Sequence, residues 1–93
     1  MIVSFADSET ESLWLTRRSR RLPPDITKRA LLKLEQLNQA GQLSDLAVPP
    51  SNHLEALKGD REGQHSIRIN QQWRICFTWT APGPAKVEIV DYH

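Results

Sequence analysis

The sequence predicts an α+β protein in which two helices come first and cover one face of a small antiparallel β-sheet. Three observations carry that prediction. Ile26, Ala30, Leu31, Leu34 and Leu37 recur at the spacing of one helical face. Between Trp73 and Trp79 the pattern changes to strict alternation, with Trp73, Ile75, Phe77 and Trp79 set against Arg74, Cys76 and Thr78. The helical patterns precede the strand patterns, and the strands follow one another with short links. That order favours antiparallel pairing with the helices on one face. The other face of the sheet is then open, polar and able to carry a site.

In chain order, Ile2, Val3 and Phe5 read as a short first strand. Ser8-Glu9-Thr10-Glu11 fits a capping box, with Ser8 at the N-cap and Glu11 three residues on. The helix it opens should run to about Arg18 and bury Leu13 and Trp14. Arg20-Arg21-Leu22-Pro23-Pro24 breaks it, and a proline suits the first turn of the second helix. Gly41 reads as that helix's C-terminal stop. Leu43 to Val48 is ambiguous, and Pro49-Pro50-Ser51-Asn52 reads as a loop. Leu54 and Ala56 begin a weakly alternating strand that ends in the charged turn Lys58–Gly63. Ile67 and Ile69 alternate with Ser66, Arg68 and Asn70. Pro82-Gly83-Pro84 is a turn, and Val87 and Ile89 alternate with Glu88 and Val90 in a last strand.

The chain of 93 residues is enough for one domain, expected over residues 1–93, with a modest core. Apolar residues make up 39% and charged residues 25%, which argues against wholesale disorder. The single cysteine, Cys76, lies in an apolar run and reads as a buried thiol in a reducing compartment. No apolar stretch is long enough to span a bilayer, and Met1–Phe5 lacks the features of a signal peptide, so a cytoplasmic protein is expected. Net charge is only +1, but residues 16–35 hold seven bases against two acids. Such a cluster suits a polyanion or an acidic partner, and equally a plain solvated face.

Several site types are missing from the pattern. One cysteine and three scattered histidines do not fit a zinc site. Gly59 and Gly63 signal a turn and form no phosphate loop. The expectation is no metal and no cofactor. What remains on the expected open face is Glu55, Lys58, Arg61, Arg68 and Arg74, with Tyr92 and His93 at the C-terminus. Acids, bases and guanidinium groups near one another suit phosphodiester chemistry. Cleavage of RNA by its own 2′-hydroxyl needs a base for that proton, a cation for the growing phosphate charge and an acid for the 5′-oxygen. Each residue also has a plainer reading: Glu55 as an exposed strand carboxylate, Lys58 and Arg61 as turn charges, and His65 as a surface residue.

The segments Leu54-Glu55-Ala56-Leu57-Lys58-Gly59-Asp60-Arg61, Ser66-Ile67-Arg68-Ile69-Asn70, Trp73-Arg74-Ile75-Cys76-Phe77 and Val90-Asp91-Tyr92-His93 resemble the HigB branch of the RelE superfamily, in particular its GraT-type subgroup. These are toxins of bacterial toxin–antitoxin pairs, and the resemblance spans essentially the whole chain. It implies a RelE-like fold and a ribosome-dependent mRNA endonuclease that cuts in the decoding site of the 70S ribosome without metal. It implies a HigA-like antitoxin with a helix-turn-helix domain of the Xre type, and contact with operator DNA only through that complex. By the same resemblance, Arg74 stabilises the scissile phosphate, Tyr92 and His93 stack on a base and handle protons, and Asp91 is an active-site acid. Lys58, Arg61 and Arg68 hold the RNA backbone. Glu55 stands where the best-known HigB toxins carry a histidine and where YoeB toxins carry a glutamate proposed as general base. His53, two residues earlier, would share Glu55's face by strand alternation. The base is therefore Glu55 or His53. A RelE-like module that binds the ribosome or antitoxin without cleaving is the alternative.

Overall fold

A computed structural model describes residues 1–91, and the expected contributions of Tyr92 and His93 lie outside them. The first helix, α1, spans Ser8–Thr16. Its N-cap is Asp7, one residue before the expected Ser8. Asp7 is extended and its carboxylate accepts from the Thr10 amide at 2.9 Å, which leaves Ser8 inside the first turn. Glu9 and Glu11 still sit where the helix dipole favours acids. The helix stops two residues short of Arg18 because Arg17 turns left-handed at φ 66°. Its guanidinium lies 4.7 Å from the Trp14 ring and pairs with Glu35 at 3.1 Å.

The second helix, α2, spans Pro24–Gln39 with proline at its first position. It buries Ala30, Leu34 and Leu37 together with one charged residue, Lys33. Its end is Ala40, and the Gly41 and Gln42 amides donate to Asp45 instead. Gly41 thus opens the next turn rather than closing the helix. Leu43–Ala47 and Pro50–Asn52 form two short 3-10 turns.

Four strands follow: β1 (Glu55–Ala56), β2 (His65–Arg68), β3 (Trp73–Thr80) and β4 (Gly83–Asp91). They form one sheet in the order β1-β2-β3-β4, every neighbouring pair antiparallel. Gly83 closes the β3–β4 hairpin at φ +144°, and a β-carbon there would collide with the Met1 carbonyl.

The N-terminal segment does not pair antiparallel. Phe5 bridges Val87 in a parallel sense, with Val3 and Ala6 amides donating to Pro84 and Val87 carbonyls. The antiparallel expectation holds for strands linked by hairpins, and this segment meets β4 across the whole chain. Further along the same edge, the Ile89 amide donates to the Thr10 hydroxyl at 3.0 Å, and the Ile89 carbonyl accepts from Arg21 at 3.1 Å. The outer edge of β4 is therefore satisfied by the N-terminal segment and by side chains of and after α1, which keeps it from pairing with another chain.

The core lies between helices and sheet. Leu13, Ala30, Leu34, Leu37 and Leu46 meet Ile67, Ile75, Phe77, Val87 and Ile89 in one cluster, as the alternation in the strands predicts. His65 belongs to this side as well: it is half-buried, with its ring stacked 6.3 Å from that of Phe77, not at the surface.

Candidate active site

The register sets two rows of side chains across the face turned away from the helices. Glu55, Ser66, Cys76 and Glu88 form one, since each is the cross-strand partner of the next. Arg68, Arg74 and Val90 form the other. Two arginines directly opposite one another repel, so this pairing is a cost to folding. Neutral and anionic acceptors around them reduce that cost.

Arg74 is held most firmly. Its Nε donates to Ser66 Oγ at 2.8 Å and its Nη2 to the His53 carbonyl at 2.8 Å. The same Nη2 lies 3.4 Å from Glu55 Oε1. The Arg74 side chain is 11% exposed and that of Glu55 49%, so the guanidinium is pinned while the carboxylate faces solvent. An ion pair this exposed adds little stability; its effect is to set position. Arg68 donates through Nε to the Asn70 carbonyl at 3.0 Å and approaches His53 Nε2 at 3.4 Å.

Arg61 extends from the 3-10 turn Gly59–Arg61 to Glu88 Oε1 at 2.6 Å and to Gln64 at 3.0 Å. That hydrogen bond to Glu88 raises the guanidinium's already high pKa, so the charge is permanent. Between the Arg61–Glu88 and Arg74–Ser66 contacts lies Cys76, fully buried on the polar face. Burial pushes its thiol above the ordinary range, with Glu88 and Glu55 adding to the effect and Arg61 and Arg74 opposing it. A thiol held protonated is a poor nucleophile, so Cys76 is inert packing.

The expected site residues therefore divide. Glu55, Arg68 and Arg74 come together with His53, although His53 arrives differently from the sequence expectation. It is the left-handed residue, φ 46°, that ends the Pro50–Asn52 turn, and strand pairing starts only at Glu55. Lys58 is exposed at the start of the Gly59–Arg61 turn. Arg61 is held at the Glu88 end of the row, so its guanidinium is committed to a carboxylate. Asp91, one residue beyond Val90, pairs with Trp73 in the ladder and accepts from Gln72 at 3.2 Å. Ser66 and Glu88 were missed as site members, though the alternation that marks Arg68 and Arg74 also marks them. The basic cluster of residues 16–35 is partly used internally: Arg17 pairs with Glu35, Arg21 with Asp7, and Lys33 is buried. Among the described residues no group of three or more His, Cys, Asp or Glu side chains could hold a metal ion.

Two helices on one face of a four-stranded antiparallel sheet, with Arg68 and Arg74 on the opposite face, define a small α+β protein. The solved structures it resembles share that architecture. A YafQ mutant from E. coli superimposes with a TM-score of 0.66 at 13% identity, covering 98% of this chain and 91% of that one. The YoeB/ParE toxin from Agrobacterium tumefaciens gives 0.53 at 21% identity, covering 99% and 96%. At those identities the likeness establishes the fold. Sequence establishes the family. Residues 3–93 match the family described as the RelE-like toxin of type II toxin–antitoxin system HigB. Toxin HigB-1 of Vibrio cholerae serotype O1 is 40% identical over 94 residues, covering 100% of this chain and 98% of the relative. An uncharacterized protein of Haemophilus influenzae is 32% identical over 59 residues, covering 63% of this chain and 58% of the relative. The chain belongs to the HigB family of RelE-like toxins. RelE-family toxins are ribosome-dependent mRNA endonucleases, and membership makes this chain the toxin of a type II toxin–antitoxin pair, an endoribonuclease with a cognate antitoxin. No helix among the described residues is long and apolar enough to cross a membrane.

Proposed function

We propose that residues 1–93 act as one cytoplasmic toxin domain that cleaves mRNA in the decoding site of the 70S ribosome by metal-free attack of a 2′-hydroxyl on the adjacent phosphate. The observation that supports this most is the pinned guanidinium of Arg74 beside the solvent-facing carboxylate of Glu55, with Arg68 opposite it in the next strand. The 2′-oxygen forms a bond to phosphorus as the bond from phosphorus to the 5′-oxygen breaks. Glu55 takes the 2′-hydroxyl proton, Arg74 and Lys58 stabilise the charge that grows on the phosphate, and His93 gives a proton to the departing 5′-oxygen. The products are a 2′,3′-cyclic phosphate and a free 5′-hydroxyl. Tyr92 stacks on a base, and Arg68 and Arg61 flank the backbone. Glu55 is preferred to His53 as the base because the His53 ring faces Arg68 and its carbonyl holds Arg74, which makes it a support for the arginines.

A net charge of +1 suits an enzyme that takes its substrate from the ribosome instead of gripping free RNA by charge. The antitoxin in this reading is HigA-like, of the Xre helix-turn-helix type, and brings the toxin to operator DNA only as a complex. The test is cleavage of mRNA on programmed ribosomes. Arg74→Ala should lower the rate by about 10²–10³-fold, the cost of removing one transition-state charge stabiliser. Cells expressing that variant, or a variant lacking Tyr92 and His93, should grow. Undiminished toxicity in both would sink the assignment.

A further inference from the structure

The polar network behind the site has no part in the chemistry above, yet it joins α2 to the segment that leads into the site. Asn52 is fully buried. Its amide nitrogen donates to Gln36 Oε1 at 3.2 Å and to the Leu46 carbonyl at 3.1 Å, and lies 3.5 Å from the Val48 carbonyl. Its oxygen accepts from the Lys33 ammonium at 2.6 Å. Lys33 is only 5% exposed, and burial, then the neighbouring Arg29, lower its pKa. Lys33 and Gln36 are three residues apart on α2 and so share a face. A leucine at any of these places would fill the space without the cost of burying a charge and an amide. What the polar version adds is a fixed place for the next residue.

That residue is His53, whose left-handed backbone is one that a non-glycine residue keeps only when its surroundings determine it. Its carbonyl takes the Arg74 Nη2 hydrogen bond, and its ring meets Arg68. Among the described residues, Ser66 Oγ and the His53 carbonyl are fixed acceptors that orient the planar guanidinium of Arg74.

We propose that Lys33, Gln36 and Asn52 are positioning residues for RNA cleavage: through His53 they set the orientation of Arg74, and so link α2 to the opposite face of the sheet. The inference rests on the role given to Arg74. Charge stabilisation acts through groups already in place when the reaction occurs, and an error of about 1 Å is enough to cost on the order of 100-fold in rate.

The test is a mutant cycle on the full-length toxin, read as single-turnover cleavage of mRNA on programmed ribosomes over a range of ribosome concentrations. Asn52→Leu should lower the maximal rate roughly 10- to 100-fold and leave the half-saturating ribosome concentration unchanged, because docking is untouched and the transition state is not. Lysine at position 74 cannot bridge Ser66 and His53 as the guanidinium fork does. In the Arg74→Lys background, Asn52→Leu should therefore cost less than about threefold, since the two changes act through one link. If Asn52→Leu lacks a native circular-dichroism spectrum, Lys33→Met takes its place with the same expectations. Equal losses in both backgrounds, a loss confined to ribosome affinity, or no loss would each overturn the proposal and leave Arg74's role standing. A rate unchanged by Arg74→Lys alone would also overturn the proposal, because the guanidinium fork would then not matter, whereas Arg74's part in the charge is tested by Arg74→Ala.

Discussion

Cys76 and Phe77 are consecutive in β3, and both are fully buried, but for different reasons. Phe77 points toward the helices and is enclosed by apolar side chains. Cys76 points the other way, onto a face with no helix over it, and is covered by the side chains of Arg61, Arg74 and Glu88 around it. The helix side is held by burial of apolar area, which is non-directional and tolerant of detail. The site side is held by specific hydrogen bonds from arginines to neutral and anionic acceptors, which contribute little net stability but fix geometry. One sheet thus separates what keeps the protein folded from what it does.

Three substitutions probe that division. Phe77→Ala removes an aromatic ring from the packed side and should lower stability by about 3–5 kcal/mol, measured by urea denaturation. A loss under about 1 kcal/mol would mean that the helices contribute much less to the core than their burial implies. Thr10→Val keeps the shape of the side chain but removes the hydroxyl that accepts from the Ile89 amide. Leaving that buried amide unpaired should cost about 1–3 kcal/mol. It should also raise amide exchange at Ile89, where β4 meets α1, while exchange within the β2–β3 ladder stays slow.

Cys76→Ala gives the smallest effect and the one that distinguishes the two faces by pH. Burial raises the thiol's pKa in the folded protein above its ordinary 9.0. Below pH 9 the thiol is protonated both folded and unfolded, so the stability difference between the parent and Cys76→Ala should not change with pH. As pH rises past 9 the unfolded thiol ionises first, so the parent should lose stability relative to the variant. Thermal unfolding at pH 7.5 and pH 10 reads this. A parent that gains on the variant at high pH would show that Arg61 and Arg74 outweigh burial at this position.

Some of this was legible in the residues and some was not. The spacing of Ala30, Leu34 and Leu37 marked α2, and the alternation from Trp73 to Trp79 marked β3, because both patterns are local consequences of backbone geometry. The same alternation placed Arg68 and Arg74 on one face with Glu55. It would have added Ser66 and Glu88 had it been carried through each strand. The helix boundaries were less legible. Asp7 and Ser8 are both good caps, and only the extended backbone at Asp7 decides between them. Asp91 is grouped with the site by the segment that carries it, and its place in the ladder, opposite Trp73, is something only the register shows.

By itself the sequence determined the α+β class, the two helices, the apolar and polar faces of the strands, and the family, because these depend on periodicity and on short motifs within one segment. Only the tertiary structure decided which distant groups meet. It joined the N-terminal segment to β4 in parallel, gave Ile89 its partners in Thr10 and Arg21, and put Asn52 between Lys33 and His53. No local pattern specifies such meetings. They arise when buried polar groups, cut off from water, must be satisfied by whatever the packed chain brings within reach.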